Sequence, residues 1–492
     1  MRIPPGGLRL VNVVIANTLG KGVIEANGVN THVDLQSSTI QGGALTALDG
    51  GVIETAPNDQ ASRDGWWRIY NDPQLDAMQQ QLLKNNADLS AALAHYQQSQ
   101  GFLAQDRSGL FPKISAIGNG QRIRQSDTKP LRSATSPDVY NSATLGLEVD
   151  YEVDLWGRVR DTVAAGTSDS DAARADLASV RLSLQAQLAD SYIRLRGIDW
   201  QNQLLEQTRD AYARALGLTE GLHGGGIVSG LDVARARTQL STVKSQLNQS
   251  QVQRALLEHS IAAMLGESAS TYSVAVNVAP IVLPNVPTGV PSSLLQRRPD
   301  IAAAERRIAA ANARIGVAKA AWFPQITLSA QGGYQSDEFA RLLSAPNLFW
   351  AIGPSLVGTL FDGGARQAQV DIAKAATDEA AAKYRGVVLG AFEQVEDNLS
   401  QIAGLGAALD DQRDAAAAAQ YAEDLSTSRY RQGAVAYLDV VTAQVAALEA
   451  KRSVLQLQTQ QLSANVGLIK ALGGGWNVAQ LAASTPNETK EK

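Results

Sequence analysis

The 492-residue chain contains no cysteine and few aromatic residues, which make up 5% of the sequence. The lack of cysteine excludes disulfide bonds and thiolate metal sites. A formal net charge of −5 gives no indication of nucleic acid as a partner. The sequence also lacks the run of about 18 apolar residues that a transmembrane helix needs. Membrane-spanning strands stay possible, because they leave a much weaker sequence signal.

Residues 1–55 differ in composition from the rest of the chain. Met1–Leu10 contains two arginines but also Pro4-Pro5-Gly6-Gly7, so no signal peptide is evident. Val23-Ile24-Glu25 recurs as Val52-Ile53-Glu54, each time after a glycine, as in the rungs of a β-solenoid. We therefore predict an atypical extension that is β-rich or, alternatively, poorly ordered or the product of a misplaced start.

The regular part of the chain opens with helices. Asp72 is placed to cap a helix and Pro73 suits its first turn. We assign residues 56–111 to N-terminal helices that end before Pro112, since proline disfavours helix in the residue before it.

A strand pair is predicted at 112–156. In Thr144–Trp156 apolar residues alternate strictly with polar ones, which is a strong signal for a strand that meets water on one face only. Four carboxylates share the polar face: Glu148, Asp150, Glu152 and Asp154. This many like charges in a row favours a wide, water-filled lumen.

The chain then repeats this order of elements. The turn at Gly226–Val233 recurs at Gly433–Val440, 207 positions later, and Pro112 recurs as Pro324. The predicted order is a first long helical hairpin at 157–279, a linker at 280–293, second-repeat helices at 294–322, a second strand pair at 323–362, a second long helical hairpin at 363–473 and a C-terminal tail at 474–492.

The second arm of each hairpin has the heptad spacing of a coiled coil. The two seams start at different points of the duplicated turn, so we expect the hairpins to pack differently. At ~1.5 Å per residue a helix from Gly364 to Gly433 extends about 100 Å, which predicts a rod or tube. The predicted seams are Val233, Ala236, Leu240, Val243, Leu247, Ser250, Arg254, Leu257, Ile261 and Met264, and Leu438, Val441, Val445, Leu448, Arg452, Leu455, Thr459, Leu462, Val466 and Ile469.

Three segments resemble the outer-membrane factor family, of which TolC and OprM are types, and most closely its nodulation-type branch. They are Trp66–Asp76, Leu294–Gln335 and Ala471–Trp476, and the resemblance extends from about Trp66 to Gln480. Many members of that branch carry a lipid-modified cysteine, which this sequence lacks.

The resemblance implies an α+β membrane protein with an internal tandem repeat. In this family each chain of a homotrimer gives four strands to a shared 12-stranded barrel and two coiled-coil hairpins to a periplasmic tunnel. It implies a passive efflux channel in the outer membrane of a Gram-negative cell, extending into the periplasm. The implied partners are a periplasmic adaptor, an inner-membrane pump of the RND class and outer-membrane lipid. No enzymatic activity, cofactor or nucleic acid is implied.

The resemblance also places a gate at the periplasmic tips of the hairpins. Asp232 and Asp439 match aspartates near the aperture, and Leu438 matches a position that narrows it. Tyr430 matches a tyrosine that bonds across neighbouring helices, so a hydrogen bond between Asp232 and Tyr430 is the expected latch. Thr442 stands where TolC-type members have a second aspartate. For both aspartates the alternative role is helix capping.

Outside the gate, the four strand carboxylates are predicted to make the lumen cation-preferring, the alternative being that they are solvated or paired. No catalytic constellation stands out, and the four histidines lack metal-ligand spacing: His32, His95, His223 and His259. Gly224–Gly226 is read as a turn, because the lysine of a phosphate loop is missing. The competing function is a coiled-coil structural or adhesin-like surface protein, which would not need the alternating strands.

Overall fold

The computed structural model describes residues 65–128, 133, 137–284 and 298–474, together with the backbone of seven short strands before them. Most of the predicted linker at 280–293 and the tail at 474–492 lie outside the described residues. So do Leu294 and Trp476, which contribute to the family resemblance.

The seven N-terminal strands pair in parallel. β1 pairs with β4 and β4 with β7, while β2 pairs with β5 and β3 with β6. Each pair joins strands about 20–25 residues apart in sequence, which is the backbone pattern of a β-solenoid. Their bounds are Leu8–Val11, Val14–Ala16, Val23–Asn27, His32–Gln36, Thr39–Gln41, Ala44–Leu48 and Val52–Thr55.

Long helices dominate the described part of the chain. The first arm of each hairpin is α3 (Arg158–Gly224) or α6 (Ala365–Arg431), with 67 residues each. The second arm is α4 (Gly230–Met264) or α7 (Tyr437–Ala471), with 35 each, so corresponding arms of the two hairpins are equal in length. No helix in the described ranges is long and apolar enough to cross a membrane. The helices are α1 (Pro73–Asn85), α2 (Ala87–Ser108), α3 (Arg158–Gly224), α4 (Gly230–Met264), α5 (Pro299–Ala320), α6 (Ala365–Arg431) and α7 (Tyr437–Ala471).

Four longer strands form one antiparallel sheet in the order β11-β10-β9-β8. Neither β8 nor β11 pairs with a further described strand, so each is an edge of the sheet. The strands are β8 (Lys113–Arg124), β9 (Val139–Glu152), β10 (Gln325–Ser336) and β11 (Leu348–Val357).

Two strands end earlier than their alternating patterns predict. β9 ends at Glu152 rather than at Trp156, because the Asp154 carboxylate accepts the backbone N–H of Arg160 at 2.9 Å and so belongs to the start of α3. β11 ends at Val357, before the predicted end of the second strand pair at residue 362. There Asp362 accepts from the backbone N–H of Gly364 and caps the entry to α6.

The duplication extends to single residues, and the α+β fold class with a tandem repeat is confirmed. Three glycine pairs that lie 207 positions apart all have positive φ: Gly157 and Gly364, Gly226 and Gly433, Gly266 and Gly473. Asn86 donates to the carbonyl of Met264 at 2.8 Å. In the second repeat Arg298 donates to the carbonyl of Ala471 at 3.1 Å, in the equivalent place.

The seam of α7 differs from the predicted one near the turn. In α4 six of the predicted seam residues are buried, among them Ala236 and Val243. In α7 the predicted members Leu438 and Val445 are 48% and 41% exposed, whereas Val440 and Ala447 are buried. The buried residues of α4 begin at Ala236, whereas those of α7 begin at Tyr437, whose equivalent 207 positions earlier, Gly230, is exposed. The two seams therefore start at different points of the duplicated turn, as predicted, although the buried face of α7 near the turn is not the predicted one.

The chain divides into two compact units. The first comprises residues 1–87, 181–298 and 390–492. Its largest apolar cluster among the described residues gathers side chains from the middle of α3, around Leu188 and Tyr192. Side chains of α1, of the C-terminal parts of α4 and α7, and of the segment after α4 pack against them.

The second unit comprises residues 88–180 and 299–389 and contains the four-stranded sheet. Here Ala318 of α5 packs against Val370 and Ala373 of α6. Two ion pairs seven residues apart join α5 to α3, Arg307 with Asp176 and Arg314 with Asp169.

Candidate functional site

The two hairpins turn in the same way. Gly226 and Gly433 have φ of 73° and 74°, a left-handed conformation that suits glycine. In each turn the next residue closes a bond back to the helix: Ile227 N–H to Leu222 O, and Ala434 N–H to Arg429 O, both at 2.9 Å. This is the hydrogen bonding of a Schellman motif, which ends a helix within one residue.

Asp232 and Asp439 both lie in the first turn of the returning helix. Ser229 is the N-cap of α4, and its hydroxyl accepts from Asp232 N–H and donates to the Asp232 carboxylate at 3.0 Å. In the second hairpin the Asp439 carboxylate accepts the backbone N–H of Ala436 at 3.1 Å. Neither aspartate is the N-cap residue itself, which is Ser229 in α4 and Ala436 in α7. Asp439 supports the cap through the backbone of Ala436 and Asp232 through the Ser229 side chain, and their role in a gate stays a prediction.

The tips of the two hairpins pack against each other. Tyr437 and Val440 of α7 are buried with Ala236 of α4, and Leu216 of α3 and Tyr430 of α6 pack around them. The rings of Tyr430 and Tyr437 are 5.2 Å apart and tilted by 57°, within the range of favourable aromatic pairs. All four long helices thus meet at one small cluster, which we call the tip cluster.

The expected hydrogen bond between Asp232 and Tyr430 is absent. The Asp232 carboxylate turns toward its own helix, where it pairs with Ser229 and with Arg235 at 3.4 Å. The Tyr430 hydroxyl is buried beside the Thr219 side chain, but it makes no hydrogen bond of normal geometry among the described residues. Burial, and then the nearby Asp232 charge, raise the pKa of Tyr430, so the two groups are neighbours without a direct bond.

The other predicted gate residues lie on a different face of α7. Leu438, Asp439 and Thr442 are all exposed, and the Thr442 hydroxyl donates to Leu438 O at 2.9 Å. The five predicted residues therefore divide into two groups. Asp232 and Tyr430 lie at or beside the tip cluster, and the remaining three form an exposed strip.

The four predicted lumen carboxylates do not form one unpaired row. Glu148 and Asp150 lie in β9, and Asp150 accepts from the Ser329 hydroxyl at 2.6 Å. Glu152 pairs with Arg158, whose Nε donates at 2.7 Å, and Asp154 pairs with Arg160 at 3.2 Å. The start of α3 supplies both arginines, so Glu152 and Asp154 are paired, as the alternative interpretation allowed. A cation-preferring lumen stays a prediction.

The face of the sheet opposite these carboxylates is apolar. Leu145 and Leu147 of β9 are 47% and 57% exposed, and Ile114 of β8 is 68% exposed. Register places Ile114 beside Val149 and Leu147 beside Gly332. An exposed apolar face of this kind, opposite a polar one, is typical of a sheet between lipid and an aqueous lumen.

Sequence reasoning missed two buried ionic networks on α3. Arg196 is 1% exposed and donates to Asp72 at 2.7 Å and to Ala279 O at 2.6 Å. Asp199 accepts from Arg254 at 2.7 Å, and Arg254 also donates to Val274 O at 2.8 Å. The available signal was spacing, since both α3 residues continue the apolar stripe of the helix at intervals of three and four.

Both networks fix the segment that follows α4. Arg196 binds the carbonyl of Ala279 and Arg254 that of Val274, while the Glu258 carboxylate accepts the backbone N–H of Val274 at 2.8 Å. This part of the first unit is thus held by charged groups rather than by regular secondary structure. In the described residues no group of histidines and carboxylates is arranged to hold a metal ion.

The chain combines a sheet that has one polar and one apolar face with two long helical hairpins. The unit of strand pair and hairpin occurs twice. These features define a class of protein, the membrane channel components. The model of the family described as outer membrane efflux protein matches residues 78–267 and 290–474. The chain belongs to this family.

Individual relatives agree with this assignment. The chain is 33% identical over 417 residues to the pyoverdine export outer membrane protein OpmQ of Pseudomonas aeruginosa, covering 84% of this chain and 87% of OpmQ. The outer-membrane channel OprN superposes with a TM-score of 0.77 at 30% identity, covering 84% of this chain and 92% of OprN. The open state of the MtrE channel of Neisseria gonorrhoeae gives a TM-score of 0.74 at 26% identity, over 82% and 89% of the two chains.

The protein is therefore an efflux channel of the outer membrane that extends into the periplasm. This function agrees with the two-faced sheet, which the competing interpretation as a coiled-coil surface protein does not require.

Proposed function

We propose that this protein is the gated exit duct of a tripartite efflux system, closed at its periplasmic end by the tip cluster. The observation that supports the proposal is the packing of both hairpin tips on Tyr437 and Val440. Apolar contact between the hairpins keeps the tips together, and a partner that separates them would open the duct. The family includes a channel described in its open state, MtrE, which supports two conformations for such tips.

Three copies of the chain complete the duct. The sheet has two unpaired edges, and backbone groups left unpaired in lipid are strongly unfavourable. Four strands are too few to close on themselves, since the smallest membrane barrels have about eight. A homotrimer would close twelve strands with no free edge. The hairpins would then engage a periplasmic adaptor and, through it, an inner-membrane pump that supplies the energy for export of small molecules.

The contacts of the tip cluster support ring packing, and not a hydrogen bond, as the proposed latch. Tyr437→Ala removes a side chain that is only 4% exposed and is expected to raise the single-channel conductance in planar bilayers several-fold. Tyr430→Phe is expected to leave conductance unchanged, because the Tyr430 hydroxyl makes no hydrogen bond of normal geometry among the described residues.

Tyr421→Ala is the matched control, since this tyrosine is on the same helix as Tyr430 but is 71% exposed. If Tyr430→Phe opens the channel and Tyr437→Ala does not, the latch is a hydroxyl bond between subunits and the ring-packing account fails. A wild-type trimer that never conducts, even with its tips removed, would contradict the duct itself.

The ion pairs also indicate which carboxylates should affect the ion selectivity of the channel. Glu148→Gln should lower the cation preference of the channel, measured as the reversal potential in a salt gradient. It removes a negative charge from the lumen that has no ion pair among the described residues. The double change Glu152→Gln and Arg158→Gln should leave the reversal potential unchanged, because the two side chains already neutralise each other. Equal effects of the two variants would show that the Glu152–Arg158 pair does not persist in the assembled channel.

A further inference from the structure

The outward face of β8 changes character along its length. β8 and β9 pair so that Ile114 lies beside Val149 and Ala116 beside Leu147. Because side chains alternate strictly along a strand, Arg122 and Arg124 project from the same face as Ile114. Two arginines thus follow a band of apolar residues on the surface opposite the lumen carboxylates.

Both arginines are available to a ligand. Arg122 and Arg124 are exposed. In the described part of the chain neither forms a hydrogen bond or an ion pair through its side chain. The residues beside them in β9, Asn141 and Val139, carry no charge. Nothing in the described sheet therefore neutralises these two cations.

Their position along the strand matches the boundary of the hydrocarbon layer. A membrane-spanning strand needs about 9–11 residues, and β8 begins at Lys113 and has 12 residues. Arg122 and Arg124 therefore fall where the strand leaves the apolar layer. An arginine facing lipid is strongly unfavourable at the midplane of a membrane and nearly neutral at its surface, which agrees with this level.

The position of the other end of β8 indicates at which surface of the membrane Arg122 and Arg124 lie. Helix α3 follows the end of β9, where Asp150 pairs with Lys113 at the start of β8, and the helical part extends into the periplasm. The arginine end of β8 therefore lies at the outer leaflet, which in a Gram-negative outer membrane consists of phosphorylated glycolipid.

We propose that Arg122 and Arg124 bind the phosphate groups of an outer-leaflet glycolipid of the lipid A type. The inference depends on the proposed closure of the sheet in the membrane, which decides that this face meets lipid. The planar guanidinium group binds phosphate through two parallel hydrogen bonds, which makes arginine better suited than lysine to this ligand. Two side chains at positions i and i+2 of one face lie about 7 Å apart and engage one headgroup together.

The test measures lipid retained by the detergent-purified full-length assembly in native mass spectrometry. Bisphosphorylated lipid A, lipid A with both phosphates removed, and inorganic phosphate are added separately. For the wild type we expect bound bisphosphorylated lipid A, about tenfold weaker binding after phosphate removal, and no displacement by millimolar inorganic phosphate. Displacement by inorganic phosphate would overturn the proposal in favour of a site for free anions.

The variant Arg122→Gln with Arg124→Gln should lose about tenfold in affinity for bisphosphorylated lipid A. The control Arg341→Gln removes an arginine that is also exposed but lies in the segment between β10 and β11, and it should bind as the wild type. Arg122→Lys with Arg124→Lys should fall between the two, which a general effect on folding would not produce. Unchanged lipid binding in the glutamine variant overturns the proposal.

Two further measurements separate this inference from the proposed duct. Conductance of the glutamine variant in planar bilayers should equal that of the wild type, since the arginines face away from the lumen. If the variant binds lipid A normally but its trimer dissociates, the arginines are contacts between subunits and not a lipid site. If the wild type binds lipid A but does not conduct, the duct fails while the lipid site stands.

Discussion

Replacing Arg196 by methionine is expected to lower the free energy of unfolding by about 3–5 kcal/mol. The guanidinium group is almost fully buried, and its partner Asp72 is 8% exposed. Removal of the cation leaves a buried carboxylate without its counter-charge, while Tyr192 and two backbone N–H groups satisfy only part of it. The carbonyl of Ala279 loses its donor as well.

The neighbouring Arg194 provides the matched control. It pairs with Asp190 at 2.9 Å on the same helix, but its side chain is 60% exposed. Exposed pairs contribute about 0–1 kcal/mol, so Arg194→Met should have a small effect. Denaturant unfolding of the detergent-solubilised protein, followed by far-ultraviolet circular dichroism, measures both.

A double variant tests the cause. Asp72→Asn together with Arg196→Met removes both charges, so it should be more stable than Arg196→Met alone. Equal losses for Arg196→Met and Arg194→Met would mean that the buried network contributes no more than a surface pair.

Two glycine-to-alanine changes on α3 should have effects of opposite sign. A Cβ atom at Gly197 would lie 2.4 Å from the Thr459 hydroxyl and 3.1 Å from its Cβ, so α3 and α7 would have to move apart. Overpacking of this kind costs about 1–3 kcal/mol. At Gly217 a Cβ meets no atom within 4 Å, and alanine there should add about 1 kcal/mol through its higher helix propensity.

The comparison is informative because both changes add the same methyl group to the same helix. The midpoint of denaturant unfolding should fall for Gly197→Ala and rise for Gly217→Ala. A Gly197→Ala, Thr459→Ala double variant should recover most of the loss, since it removes the atoms that the new methyl group meets. A rise for both single variants would show that α3 and α7 do not approach closely at this point.

Short-range patterns in the sequence predict the elements well. Strict alternation in β9 identifies its two faces correctly, because the period of a strand is fixed by its pleat. The glycines at the two hairpin turns correctly mark where α3 and α6 end, since a residue in the left-handed conformation is needed there. The heptad spacing in α4 correctly predicts its buried face, because apolar residues such as Val243 and Leu247 recur on one side of the helix.

Predictions that depend on which element packs beside another succeed less often. Leu438 fits the heptad of α7 as well as Val440 does, and only the neighbouring hairpin decides that Val440 is buried. Asp154 continues the alternation of β9, but the backbone of α3 engages its carboxylate. Neither outcome is encoded within the window of residues that the pattern covers.

The candidate site shows the same division. The resemblance to the family predicts that Asp232 and Tyr430 lie close together. The hydrogen bond expected between them is absent, because the Asp232 carboxylate pairs with Ser229 and Arg235 instead. The buried pair of Arg196 and Asp72 joins residues far apart in sequence, so no local pattern predicts it. The sequence signal for this pair was a single charged residue, Arg196, on the apolar stripe of α3.

The two free edges of the sheet affect how the protein reaches its final state. Between synthesis and assembly each newly made chain presents the unpaired backbone of β8 and of β11 to its surroundings. An open edge pairs readily with any other strand, so the waiting period carries a risk of aggregation. The yield of assembled protein then depends on how quickly identical chains associate, and slow association favours irreversible aggregation.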